Sequence, residues 1–227
     1  MRRLAMVPVL LFGCACGHGA MGQAVFSSGC RAEDSACDKK TFDAPIAVGA
    51  SVEPEVRLDL QGSGAAAAHF AAVGDEVLSA ERGLLRGKKP GVAAVLLRTD
   101  TGTVLDFFHV WVKSPTPLKL FELTGADVHP EPITTPLELL EGESVRLAAS
   151  LFGDGQPLAG RAEQAWSTDN AVLAVLAEGR PDRRRIVAVA PGRATLRIRS
   201  LDQTTFVDVI VHAARPGALA LSHQVKK

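Results

Sequence analysis

The feature that most constrains this chain is an internal echo. Pro90-Gly91-Val92-Ala93-Ala94-Val95-Leu96-Leu97-Arg98 returns as Pro191-Gly192-Arg193-Ala194-Thr195-Leu196-Arg197-Ile198-Arg199, a shift of 101 residues. The shared pattern is Pro-Gly-x-Ala-x-aliphatic-x-aliphatic-Arg. A polar turn follows each copy, Asp100-Thr101-Gly102 and then Asp202-Gln203. A second alternating run comes next, Thr103–Val112 and Thr204–Val211. Upstream, Phe70 precedes Val77-Leu78 as Trp166 precedes Val172-Leu173, and before those lie the alternators Val52–Leu60 and Ser144–Leu151. The order of elements is the same in both halves, so the chain is a tandem duplication. Its 227 residues leave room for two small domains.

The period inside each copy is two. In Val145-Arg146-Leu147-Ala148-Ala149-Ser150-Leu151 the odd positions are apolar, and in Ala194-Thr195-Leu196-Arg197-Ile198-Arg199 the even ones are. Strands with one buried and one wet face alternate in this way. Turn chemistry separates them at Gly62-Ser63-Gly64, Gly153-Asp154-Gly155, Pro90-Gly91 and Pro191-Gly192. Short alternating strands at regular spacing predict an all-β chain of two tandem β-sandwiches. The expected boundaries are residues 44–117 for the first, more degenerate domain and 118–213 for the second. Ser114-Pro115-Thr116-Pro117 reads as the linker, because proline cannot continue a central strand. Residues 214–227 read as a flexible tail.

Trp166-Ser167-Thr168-Asp169, Val172 to Val175, Gly179, Pro191-Gly192-x-Ala194 and the closing run Val207–Val211 resemble the group 2 bacterial immunoglobulin-like domain. That family's pattern is a Trp-Ser-x-Asp strand, a Val-Ala-x-Val strand and a Pro-Gly-x-Ala hairpin. The second half carries the pattern over roughly 90 residues, with Arg180 to Arg185 as a longer loop before the hairpin. In the first half Phe70 replaces the Trp and no Ser-x-Asp follows. The resemblance implies two immunoglobulin-like sandwiches of the kind common in surface and adhesion proteins. Trp166 is then expected to anchor the core between the sheets, burying of order 200 Å², and its removal to cost roughly 3–5 kcal/mol. Phe70 is its counterpart, and Pro90, Gly91, Pro191 and Gly192 are structural turn residues.

The N-terminus reads as an export signal. Arg2 and Arg3 precede the apolar run Leu4–Phe12, which is too short to span a bilayer. Leu11-Phe12-Gly13-Cys14 resembles the lipobox of bacterial lipoproteins, although Phe12 stands where a small residue is usual. It implies a signal peptide over residues 1–13 and lipidation at Cys14. Cleavage after Ala24 is the competing possibility. Residues 14–43 are then a tether. Export makes disulfides possible, and a Cys30–Cys37 bridge would be worth roughly 2–2.5 kcal/mol by loop entropy. Ala15 after Cys14, rather than Asp, favours the outer membrane, with the domains periplasmic or surface-facing.

No catalytic constellation emerges. The chain has no Gly-x-Ser-x-Gly, His-Glu-x-x-His or complete phosphate-binding loop; Gly83–Lys89 is one residue short of the last and reads better as a turn with a basic tip. The six histidines show no ligand spacing. Cys14, Cys16 and His18 lie beside the signal, and Asp154 with Asp169 falls short of a calcium set. No metal or other cofactor is therefore expected. With 25 basic and 25 acidic side chains the net charge is zero, which removes the field of a general nucleic-acid binder. One local exception is arginine. Arg180, Arg183, Arg184 and Arg185 crowd one stretch, while Arg193, Arg197 and Arg199 share one strand face. If the two stretches are neighbours, they form an anion-binding patch. The expected role is non-catalytic: a lipid-anchored envelope module presenting its domains to a surface polymer or protein. The alternative is an accessory subunit that pairs with a larger envelope assembly through its sheet edges.

Overall fold

The computed structural model describes residues 22–28, 44–60, 67–125, 127–134 and 136–214. The chain is all-β among the described residues and forms two tandem β-sandwiches. In the first repeat the strands are β1 (Gly22–Ser28), β2 (Ile46–Ala47), β3 (Ser51–Val52), β4 (Pro54–Leu60), β5 (Ala68–Val73), β6 (Leu78–Glu81), β7 (Leu84–Gly87), β8 (Gly91–Thr99) and β9 (Val104–Lys113). The second repeat holds β10 (Thr116–Thr124), β11 (Asp127–Pro132), β12 (Leu137–Leu140), β13 (Ser144–Gly153) and β14 (Gln156–Pro157). It continues with β15 (Gln164–Thr168), β16 (Leu173–Glu178), β17 (Arg180–Ala188), β18 (Gly192–Ser200) and β19 (Gln203–His212).

The duplication extends to sheet topology. One sheet of the second sandwich runs β12-β19-β18-β15, and the first has β2-β9-β8-β5 in the matching order. The opposite sheet runs β11-β10-β13-β17-β16, with β14 paired to β13. Its counterpart in the first repeat is split into β1-β4 and β3-β7-β6. The split falls at Glu53, where the strand equivalent to β13 breaks ahead of the buried Pro54. β12 runs parallel to β19 as β2 does to β9, and β10 is antiparallel to β13 as β1 is to β4.

This correspondence moves three expected boundaries. Gly22–Ser28 lies in the range read as tether, yet β1 holds the place in the first sandwich that β10 holds in the second. The Phe26 ring stands 4.4 Å from that of Phe108 and 6.3 Å from that of Phe70, so the expected tether supplies a half-buried ring to the aromatic cluster at the margin of the first core. Thr116 and Pro117, read as linker, already belong to β10, which leaves only Ser114 and Pro115 between the repeats. Arg180–Arg185, read as a loop, is the first part of β17. Cys14, Cys30 and Cys37, with the signal and residues 215–227, lie outside the described residues.

Alternation builds both cores. Ile46, Leu78, Leu85, Val95 and Val112 are fully buried in the first, and Leu147, Ile186, Leu196, Ile198 and Val209 in the second. Each such side chain contributes roughly 1.5–3 kcal/mol by leaving water. Ala47 and Ala50 belong to the first repeat but pack into the second core. The segment around them forms the joint. Across it, the Ala47 and Ser51 amides donate to the Ala159 and Arg161 carbonyls, both at 3.0 Å. In return Ala159 donates to Pro45 and Arg161 to Ser51, both at 2.7 Å.

The first and last described strands have their outer ends away from the joint. Gly22 pairs with Leu60, the end of β4 farther from the joint. Leu201, in the turn before β19, sits at the joint against Gly49, whereas His212 ends that strand beside Leu140.

Candidate binding surfaces

The arginine stretches do not form one patch. β17 and β18 belong to opposite sheets of the second sandwich, so their outward faces point in opposite directions. On β17 the charges are mostly committed. Glu178, only 12% exposed, accepts from Arg146 Nε at 2.6 Å and Arg185 Nε at 2.9 Å. Burial alone would raise the Glu178 pKa, but the hydrogen bonds and charges of Arg146 and Arg185 outweigh it and hold it below the usual glutamate value. Arg184 shares the inward phase of Ile186. Its guanidinium donates to the carbonyls of Arg180, Pro181 and Arg183 and stands 5.9 Å from the Trp166 ring centroid. Arg180 forks onto Asp182 at 2.9 and 3.1 Å.

Arg193, Arg197 and Arg199 do line one exposed face of β18. Arg197 lies 5.9 Å from the exposed ring of Phe206 on β19. Asp208 and the pair Glu138–His212 stand on the same face, which leaves its charge nearly balanced. Alternation had placed these three arginines correctly; it could not show that β17 lies on the other sheet.

Trp166 packs against the second core but is half-buried rather than enclosed between the sheets. Its indole N–H donates to Gln164 Oε1 at 3.2 Å, and the buried Gln164 donates from Nε2 to the Ala149 carbonyl across the sandwich at 3.1 Å. The anchor is thus a ring plus a polar bridge. Phe70 is likewise half-buried. The Pro-Gly turns match in detail. Gly91 (φ +155°) would place a Cβ 3.0 Å from Val77 Cγ2, and Gly192 (φ +150°) would place one 3.1 Å from Val172 Cγ2.

Other candidates resolve into structure. Asp154 pairs with Lys113 Nζ at 3.0 Å, and Asp169 Oδ1 accepts from the Thr195 amide at 2.9 Å. Gly83 turns the β6–β7 hairpin with Arg82, at φ 77° and 51°. Among the described residues, no three His, Cys, Asp or Glu side chains group closely enough to hold a metal ion.

The most unusual surface lies on the first sandwich. The outward side chains of β8 and β9 pair as Val92 with Trp111, Ala94 with His109 and Leu96 with Phe107. Val73 adds to the face from β5, opposite Ala94. Trp111, Phe107, Val92 and Val73 are each more than half exposed, and the Phe107 and His109 rings meet edge-on at 5.6 Å. The positions equivalent to Val92, Ala94 and Leu96 carry Arg193, Thr195 and Arg197, so β8 and β18 present opposite chemistry to solvent, while Phe206 keeps the exposed ring of Phe107. Contiguous exposed apolar surface of this kind marks interaction sites. The signal was present in the sequence: Val92–Leu97 and Phe107–Val112 are apolar or aromatic in both phases, with His109 the single polar position.

No protein-family model matches the chain, and no curated protein matches it. Among solved structures it is similar to domains 4 and 5 of the S-layer protein SbsC, at 18% identity over 68% of this chain and 81% of that one, with a TM-score of 0.31. It is also similar to the bacterial integrin-binding protein invasin (13% identity, 84% of this chain and 40% of that one, TM-score 0.35). The D00–D0 domains of intimin match at 7% identity over 76% of this chain and 98% of theirs, with a TM-score of 0.30. These overlays are loose, and nothing about the function of this chain rests on them.

Proposed function

We propose that the chain is a non-catalytic module of the bacterial cell envelope, anchored by lipid at Cys14, that holds its second sandwich away from the membrane and presents both domains to a surface polymer or protein. The observation that carries this reading is that Gly22, at the start of β1, and His212, at the end of β19, lie at the ends of their sandwiches farther from the hydrogen-bonded joint. A chain that enters at one end and leaves at the other is a spacer. β1 supports the anchor at Cys14 over cleavage after Ala24, because that cut would fall inside the strand and remove Gly22–Ala24 from its ladder with β4. The stretch from Cys14 to Gly22 can extend at most about 25–30 Å, so the first sandwich stays close to the bilayer.

Protease shaving of intact cells tests it, with detection of the second sandwich and a Cys14→Ala control. Digestion in intact cells, with loss of the cell-bound material in Cys14→Ala, is the expected result for a surface-facing module. Protection until the outer membrane is permeabilised would place the domains in the periplasm. The exposed apolar face around Trp111 favours a second reading, an accessory subunit of an envelope assembly. Recovery of a stoichiometric complex that Trp111→Ala disrupts would support it.

A further inference from the structure

β16 closes one side of its sheet: β17 pairs with it on one flank, and among the described residues no strand pairs with it on the other. The phase of its backbone is fixed twice. The Val189 amide donates to the Val172 carbonyl at 2.8 Å, so Val172 faces β17. The Ala188 amide donates to the Glu143 carbonyl at 2.9 Å, which turns Ala188 toward β13 and leaves Val187, the partner of Ala174, facing β16. By alternation Ala174 and Leu176 bond to β17, while Leu173, Val175 and Ala177 turn their N–H and C=O groups outward. Those of Val175 and Ala177 have no partner among the described residues. Leu173 is only 3% exposed, which closes its groups to an incoming strand.

Open edges are usually blunted, and two others in this chain show how. β11, at the opposite side of the same sheet, carries Pro130 and Pro132. β6, the first-repeat counterpart of β16, ends after four residues at Glu81, just before Arg82. β16 has neither device. Val172–Ala177 contains no charged residue and no proline, and Leu176, paired with the exposed Arg185, is itself 49% exposed.

The open groups are self-complementary. In a second β16 laid antiparallel with the two-fold axis at Leu176, Val175 exchanges both of its bonds with the partner's Ala177, and Ala177 with the partner's Val175. Every open donor finds an open acceptor, and none is left over. An axis at Val175 would instead need Leu173 opposite Ala177, so the burial of Leu173 fixes the register.

We propose that two copies of this chain pair edge to edge through β16, which extends this sheet of one second sandwich into that of the other. Leu176 then lies directly across from the partner's Leu176, in the non-hydrogen-bonded position where side chains approach most closely. Glu178 falls opposite the partner's Ala174, so no like charges meet across the axis. Arg185 already belongs to Glu178 at 2.8 Å, and the two Arg185 residues stand three strand spacings apart, roughly 14 Å. That exceeds the Debye length of about 8 Å at physiological salt, so they do not oppose pairing. The chain turns at Gly179 (φ +71°), which keeps the ladder short and the dimer reversible. The inference is independent of what the envelope module binds.

The test uses the full chain carrying Cys14→Ala, so that no acyl group drives association. Sedimentation equilibrium should show a reversible dimer, and the Val175 and Ala177 amides should gain protection from hydrogen exchange as concentration rises. Ala177→Pro removes a donor that β17 does not use, at an exposed edge position where proline is tolerated. By symmetry it deletes half of the new bonds, so association should weaken tenfold or more, equivalent to about 1.4 kcal/mol. Leu176→Lys sets two ammonium groups across the axis and should weaken it likewise. A monomer at every concentration overturns the proposal, as does association that survives both substitutions. If Ala177→Pro fails to fold, Leu176→Lys and the exchange measurement decide: undiminished association, or no concentration-dependent protection at Val175 and Ala177, is then the refuting result.

Discussion

At the scale of single residues, the second sandwich depends on two features that no contact area would reveal. Gly192 holds φ +150°, a region essentially closed to residues with a Cβ, and has Val172 directly over it. Gly192→Ala should therefore cost about 1–3 kcal/mol in urea denaturation, although it adds one methyl group. The second feature is Glu178, held by Arg146 and Arg185. Its folded pKa lies below the ordinary value, so its stabilising contribution is whole above the unfolded pKa of about 4.3. That contribution is lost as pH falls from there through the folded value. The unsubstituted protein should accordingly lose more stability between pH 6 and pH 3 than Glu178→Gln does. Equal losses in the two proteins would show that the cluster contributes nothing to acid sensitivity.

At the scale of elements, the central prediction concerns β1. Phe26 fills space between Phe70 and Phe108 while remaining half-buried, so Phe26→Ala should cost about 2–3 kcal/mol, less than the 3–5 of a fully enclosed ring. Circular dichroism melting of the first repeat would measure it, and an unchanged midpoint would return Gly22–Ser28 to the role of tether. This strand also shows where sequence reasoning stops. β18 and β19 were legible because a Pro-Gly turn and period-two alternation fix their ends and faces, and β8 and β9 because the same Pro-Gly pattern recurs 101 residues earlier. Gly22–Ser28 has two large apolar residues, Val25 and Phe26, adjacent and so on opposite faces, with no repeat of either phase, and its pairing partner lies some thirty residues away. Nothing local marks it as a strand; only its equivalence to β10 does. The arginine surfaces failed for the same reason. Alternation assigns a side chain to a face of its own strand, but which sheet receives β17 is decided by pairing with β13 and β16. The apolar face around Trp111 was the opposite case, visible in sequence as the loss of the polar phase.

At the scale of the whole molecule, the joint decides whether the two sandwiches behave as one body. Among the described residues four backbone hydrogen bonds cross it, and Ala47 and Ala50 of the first repeat pack into the second core. Gly160 sits at its centre with φ +109°, and a Cβ there would come within 2.7 Å of the Ala50 Cβ. Gly160→Val must therefore push the repeats apart, whereas Gly179→Ala introduces a side chain at φ +71° with nothing within 4 Å and serves as the control for backbone strain. Coupled domains unfold together, and domains with a broken interface unfold separately. Differential scanning calorimetry should show one transition for the unsubstituted chain, two for Gly160→Val, and one at slightly lower temperature for Gly179→Ala. Two transitions in the unsubstituted chain would mean that the crossing bonds do not bind the repeats into a single cooperative unit. The spacer would then be a flexible pair, able to swing its outer domain rather than hold it at a set height.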